Sequence, residues 1–226
     1  MARINLASNP SQRTPCVLIL DHSGSMTTAG DDGRTRISVL NSGLEAFAQS
    51  LQRDPVALGR VQIAAVSCAG DHAELLLDWT DANQFQPFTL RADGLTPMAE
   101  ALTLSLDLIA NQKKVLREYG IPYTRPWIFI LSDGDPSDTE QAWVDACAKS
   151  KAAEQNGHVE IFVVGVGGAN MSKFNSACKR PPLQLQGLKF HEMFVWLSAS
   201  LGQMTRSVPG AEVELPSTSG WASAKV

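Results

Sequence analysis

Five short apolar runs rich in β-branched residues recur along the chain: "CVLIL" at 16–20, "VQIAAVSC" at 61–68, "AELLLDW" at 73–79, "WIFILS" at 127–132 and "EIFVVGVG" at 160–167. Such runs predict strands buried on both faces of a sheet. Segments of helical period lie between most of them, at 36–53, 97–119 and 139–155, and a last one follows at 189–206. Strands that alternate with helices restrict the chain to an α/β fold. The expected architecture is a doubly wound, mostly parallel central sheet of about six strands with helices on both faces, Rossmann-like in its layering. The few residues around "AGDHA" are too short for a crossover helix, so the third strand is expected to run antiparallel at the sheet edge. Pro97 suits the first position of a helix, which places a helix start right after Thr96. "RPPLQLQGL" at 180–188 offers a short sixth strand that its prolines confine to an edge.

A chain of 226 residues is long enough for one large domain. That domain is expected to span 15–206, between an N-terminal arm at 1–14 and a flexible tail at 207–226, whose Pro, Ser and Gly content reads as disorder. The first twenty residues lack the apolar core of a signal peptide, and no stretch approaches a membrane span, so the expectation is a soluble, cytoplasmic protein without a membrane partner. Nineteen Lys and Arg against 23 Asp and Glu, with the basic residues scattered, leave no nucleic-acid footprint. Cys16, Cys68, Cys147 and Cys178 form no C-x-x-C pair and read as reduced core thiols.

Chemistry-bearing residues concentrate at the ends of the apolar runs, where open α/β sheets gather their ligands. Asp21, Ser23 and Ser25 follow the first run at alternate positions; "DGLTPM" at 93–98 enters a helix; "LSDGDPSD" at 131–138 follows the fourth run. If the first and fourth strands are neighbours, Asp21, Ser23, Ser25, Thr96 and Asp133 converge. Oxygen donors alone select a hard ion, Mg²⁺ or Mn²⁺, and disfavour zinc. An octahedral ion that retains water keeps an exchangeable position, which an incoming carboxylate can complete. Asp135 and Asp138 are expected to cap the following helix, and His22 to turn away from the ion.

Asp-x-Ser-x-Ser after the first strand, a Thr entering a helix and an Asp-Gly after a later strand together resemble the von Willebrand factor A fold over roughly residues 14 to 206. In that family these positions form the metal-ion-dependent adhesion site, which the resemblance carries onto Asp21, Ser23, Ser25, Thr96 and Asp133. More narrowly, "LILDHSGSM", "FQPFTLRADGLTPMAEAL", "FILSDGDPSD" and "FHEMFVWLSASL" resemble the TerY-type proteins of bacterial tellurium-resistance operons. That resemblance implies a small intracellular interaction module, binding an Asp or Glu of a protein partner through Mg²⁺, beside a protein kinase and a phosphatase of the same operon. The chain departs from the usual pattern at His22, where Thr is common, and in "TTAGDDGRTR" at 27–36, which lengthens the loop after the site.

Two other classes of function fit parts of the pattern. Asp21 beside Mg²⁺ could accept a phosphoryl group, but haloacid-dehalogenase-like phosphatases place a second Asp where this chain has Ser23, and no Ser-His-Asp set or Walker loop occurs. A scaffold indifferent to metal is the other. The expectation is a binding module and not an enzyme. The tail residues Glu212 and Glu214 are candidate occupants of the open metal position.

Overall fold

The computed structural model describes residues 10–167, 169, 171–207 and 213–224. Its centre is a strand with no exposed residue, β1 (Thr14–Asp21), flanked on one side by β2 (Val61–Ala69) and on the other by β4 (Trp127–Ser132), both parallel to it. β3 (His72–Asp81) pairs antiparallel with β2, and β5 (Glu160–Gly165) parallel with β4. β6 (Leu183–Leu185) and β7 (Ala222–Ala224) complete a seven-stranded sheet of order β3-β2-β1-β4-β5-β6-β7.

Alternation along β1 divides the core in two. Cys16, Leu18 and Leu20 pack with α1 (Arg36–Gln52) and α5 (Phe190–Arg206), through Leu40, Phe47, Phe194 and Leu197. Val17 and Ile19 face the opposite layer, α3 (Met98–Glu118) and α4 (Glu140–Gln155), through Met98, Leu102 and Trp143. This is the doubly wound α/β arrangement expected from the alternation of runs. The four long helices start and stop within a residue or so of the periodic segments, and side-chain caps mark the starts of two of them. Thr35 accepts from Ser38 N to cap α1, and Thr139 accepts from Ala142 N to cap α4. A further short helix, α2 (Pro55–Arg60), was not expected; Asp54 caps it by accepting from Val56 N and Ala57 N, with Pro55 in its first turn. Among the described residues no helix is long and apolar enough to cross a membrane.

Three expectations need correction. β3 is antiparallel at the edge as predicted, but it is not buried on both faces: Leu75 and Leu76 are exposed, and Trp79 is its one buried residue. β6 does exist, yet Pro181 and Pro182 do not confine it to an edge, because they precede the strand and leave both sides of Leu183–Leu185 free to pair. What covers its outer side is the supposed flexible tail. Residues 213–224 return to the sheet, β7 pairs antiparallel with β6, and the sheet therefore has seven strands and an antiparallel strand at each edge.

Two tryptophans drive that return. Trp221 is buried, with its ring 5.2 Å from that of Trp196 on α5, and Trp196 Nε1 donates to Pro216 O at 2.7 Å. Burial of this indole, together with the pairing of β7 on β6, offsets the entropy of ordering the segment. Trp221→Ala is therefore expected to destabilise the domain by about 3 kcal/mol, as for other large aromatic truncations in cores. Urea unfolding followed by fluorescence measures it; a loose tail would leave the midpoint unchanged.

Candidate metal centre

Two central parallel strands end on the same edge of the sheet, Leu20 of β1 opposite Leu131 of β4, and each chain runs on into a carboxylate. Asp21 has no exposed surface. Its Oδ1 accepts from Ser23 N at 3.0 Å and its Oδ2 from Ser132 Oγ at 2.5 Å. Burial pushes the Asp21 pKa up, those hydrogen bonds pull it back down, and the charge of Asp133 raises it again. The chain then makes a 3-10 turn, Gly24–Thr27, held by Met26 N donating to Ser23 O and by the burial of the Met26 side chain in the core.

That turn brings Ser25 to Asp133 and sets Ser23 beside Ser25. Ser25 Oγ donates to Asp133 Oδ1 at 2.6 Å, and Ser23 Oγ lies 3.0 Å from Ser25 Oγ. A hydroxyl has one proton, and that of Ser25 is donated to the carboxylate, while the Ser23 side chain also hydrogen-bonds Asp21. Asp133 Oδ2 is engaged too. Arg36, the first residue of α1, donates to it through Nη1 at 2.6 Å and to Gly167 O through Nη2 at 3.3 Å. Of the five expected residues, Asp21, Ser23, Thr96 and Asp133 are buried, while Ser25 is exposed and opens the cluster to solvent.

Thr96 arrives on a loop stitched to both of the others. Asp93 N donates to His22 O, Gly24 N to Gly94 O and Ser137 N to Thr96 O, while Ser137 Oγ accepts from Thr96 N. The loop also rests on the β2–β3 turn: Gly94 has φ of +60°, and a Cβ there would lie 2.5 Å from Gly70 Cα. α3 opens at Met98, with Pro97 at the cap position and no side-chain cap of its own. Asp138 fills that role from the neighbouring loop, accepting from Ala99 N at 2.9 Å. Asp138 was expected to cap α4, which Thr139 does instead; Asp135 pairs with Lys173 at 3.4 Å.

His22 does turn away. Its Nδ1 is 2.7 Å from Arg91 O and its Nε2 is 2.8 Å from Ser67 Oγ, so both ring nitrogens are engaged outside the cluster. The Cys68 thiol, paired in register with Asp21, is pushed well above its usual range by burial, with the charges of Asp21 and Asp138 adding to the shift. It is a neutral thiol, not a thiolate ligand. All four cysteines are buried and free. Glu212 lies outside the described residues, and Glu214 is exposed. Two residues of the cluster escaped the sequence: Ser132, whose only signal is a hydroxyl at the last position of a strand, and Arg36, at the end of the lengthened loop.

A family profile described as the von Willebrand factor type A domain matches residues 16–135. The chain belongs to that family. No curated protein matches it. Among solved structures it is similar to a von Willebrand factor type A protein from Catenulispora acidiphila, at 16% identity and TM-score 0.61 over 85% of this chain and 43% of that one. It is similar to the pilus adhesin SpaC from Lactobacillus rhamnosus GG, at 12% identity and TM-score 0.67 over 85% and 31%. It also resembles the SpRpn10 VWA domain, at 14% identity and TM-score 0.52 over 74% and 81%. The chain thus spans less than half the length of the first two, and identities this low speak for the fold.

The donor set of this von Willebrand factor A domain fits a hard divalent ion. Among the described residues no three His, Cys, Asp or Glu side chains come together as a cage; two carboxylates and neighbouring hydroxyls form the cluster, a set suited to Mg²⁺ and unsuited to zinc. In metal-free protein the buried Asp21 opposes folding. Its folded pKa is above its unfolded one, so between the two values the folded chain holds the extra proton and stability falls as pH rises. Asp21→Asn removes that titration while keeping the acceptor for Ser23 N. Melts in EDTA across acid to neutral pH are expected to show the parent losing stability relative to the variant as pH rises, with Asp21→Asn at least as stable at neutrality.

Proposed function

We propose that this domain is a metal-dependent protein-interaction module, in which Mg²⁺ or Mn²⁺ is held by Asp21, Ser23, Ser25, Thr96 and Asp133 and captures an Asp or Glu of a partner. The observation that carries this reading is the meeting of two buried carboxylates with the Ser23 and Ser25 hydroxyls at the sheet edge, the Ser25 side open to solvent. Family membership supports an interaction role, since von Willebrand factor A domains are protein-interaction modules. Oxygen donors give the ion its place; its open coordination position accepts the partner's carboxylate, an anion that two acidic residues would repel without the metal. Leu95, largely exposed beside Thr96, gives the rim an apolar contact around that charge.

Ser23 stands where haloacid-dehalogenase-like phosphatases place their second acid, two residues after the nucleophile, which favours binding over phosphoryl transfer. The narrower likeness to TerY-type proteins supports a cytoplasmic setting in a tellurium-resistance or stress-response operon, with its protein kinase and phosphatase as partners.

The test is calorimetry and thermal melting with Mg²⁺ or Mn²⁺, and capture of partners from bacterial extract with and without EDTA. Metal at about a hundredfold its Kd should add about 2.7 kcal/mol to stability. Asp21→Ala is expected to abolish both that gain and partner capture while remaining folded. Ser25→Ala should weaken both less, because water replaces a neutral ligand. Wild-type partner capture by Asp21→Ala would instead identify a scaffold indifferent to metal.

A further inference from the structure

The lengthened loop after the site ends on an arginine, and the fold gives that arginine a seat inside the cluster. Residues 27–36 fold back on themselves: Ala29 bridges Thr35, Gly30 N donates to Arg34 O, and Arg36 N donates to Thr28 O. Arg36 is thereby delivered to Asp133, with its side chain only 16% exposed and its partner's fully buried. The far wall of the seat is Gly167, at φ +62°. A Cβ at that position would lie 2.2 Å from Arg36 Nη2 and 2.3 Å from Cζ, so no side chain other than hydrogen leaves room for the guanidinium. Gly167 O accepts from the same group, which fixes its plane.

We infer that Arg36 is a resident counter-cation of this site, competing with the divalent ion for Asp133, so that metal binding is an exchange of a guanidinium for a metal. This deepens the metal-binding reading and rests on it. Without an ion, Arg36 compensates Asp133, while Asp21 has its hydrogen bonds alone, and the pair Arg36–Asp133 holds the loop before α1 against the loop after β4. An incoming dication meets that positive charge at hydrogen-bond distance from one of its own ligands. It must displace Arg36 from Oδ2 or bind against its repulsion, and either lowers its affinity.

The experiment compares the parent with Arg36→Met and Arg36→Lys, using Mn²⁺ alone as the probe, followed by electron paramagnetic resonance or calorimetry, with melts in EDTA as a second readout. Arg36→Met removes the charge and keeps the apolar stem. It is expected to bind Mn²⁺ about tenfold or more tightly than the parent. In EDTA it should melt about 3 °C or more below the parent, having lost the internal counter-ion. Arg36→Lys keeps the charge without the planar fork and should lie between the two in both readouts. Equal or weaker Mn²⁺ affinity in a folded Arg36→Met would overturn the exchange while leaving the metal site standing. Absence of Mn²⁺ binding in all three proteins would overturn the metal reading and the exchange with it. If Arg36→Met does not fold in EDTA, the neutral polar variant Arg36→Gln carries the comparison, and parent-like Mn²⁺ affinity in it overturns the exchange.

Discussion

A carboxylate without exposed surface, set at the end of the central strand, is the constraint on which the sheet edge depends. An isolated buried carboxylate costs several kcal/mol, and it is tolerated only where donors are supplied in fixed positions. Ser23 N and the Ser132 hydroxyl supply them here, one from the chain just past β1 and the other from the end of β4. The requirement of one charge thus ties together two strand ends that are 111 residues apart in sequence. The 3-10 turn and the loop after β4 inherit their positions from that tie.

Charge balance follows from it. Asp21 and Asp133 are both buried and cannot both be left uncompensated, and the hydroxyls of Ser23 and Ser25 can orient negative charge without neutralising it. Arg36 partly does so through a single short ion pair. The domain therefore has a defined arrangement of side chains in the absence of metal, in place of two carboxylates pushing apart. A glycine opposite the arginine, in the segment following β5, belongs to the same arrangement as much as the acids do.

Much of this was legible in the sequence, for physical reasons that differ by element. Strands β1, β2, β4 and β5 are buried on both faces and leave continuous apolar runs; the long helices carry an apolar period, and Thr35 and Thr139 cap the starts of two of them. Asp21, Ser23, Ser25 and Asp133 were legible because parallel strands deliver their following loops to one edge. Arg36 and Ser132 were not, since an arginine after a polar loop has many possible partners and only tertiary placement selects Asp133. Asp138 was misassigned by its nearness in sequence to α4, whereas the loop carries it across to α3. The composition of the last segment concealed β7: its prolines, serines and glycines outvoted a single Trp221 whose partner, Trp196, is on a distant helix. β3 looked buried because its leucines are consecutive, a pattern that says nothing about which face is covered.

The contact of Gly94 with Gly70 gives the site two sides of unequal stiffness. Backbone meets backbone there, with Gly70 N donating to Asp93 O and Leu95 N to Gly70 O, so the Thr96 loop and the β2–β3 turn move as a single piece. The opposite side consists of a side-chain ion pair and an exposed serine, which rotate about ordinary torsions. The cluster has the build of a vice with one fixed jaw and one sliding jaw: the Thr96 side is the reference position, and in the proposed metal site adjustment to an ion's radius or a partner's reach would fall to Ser25 and Arg36. Through the fixed jaw, the exposed edge hairpin is joined backbone to backbone with the loop that carries Thr96.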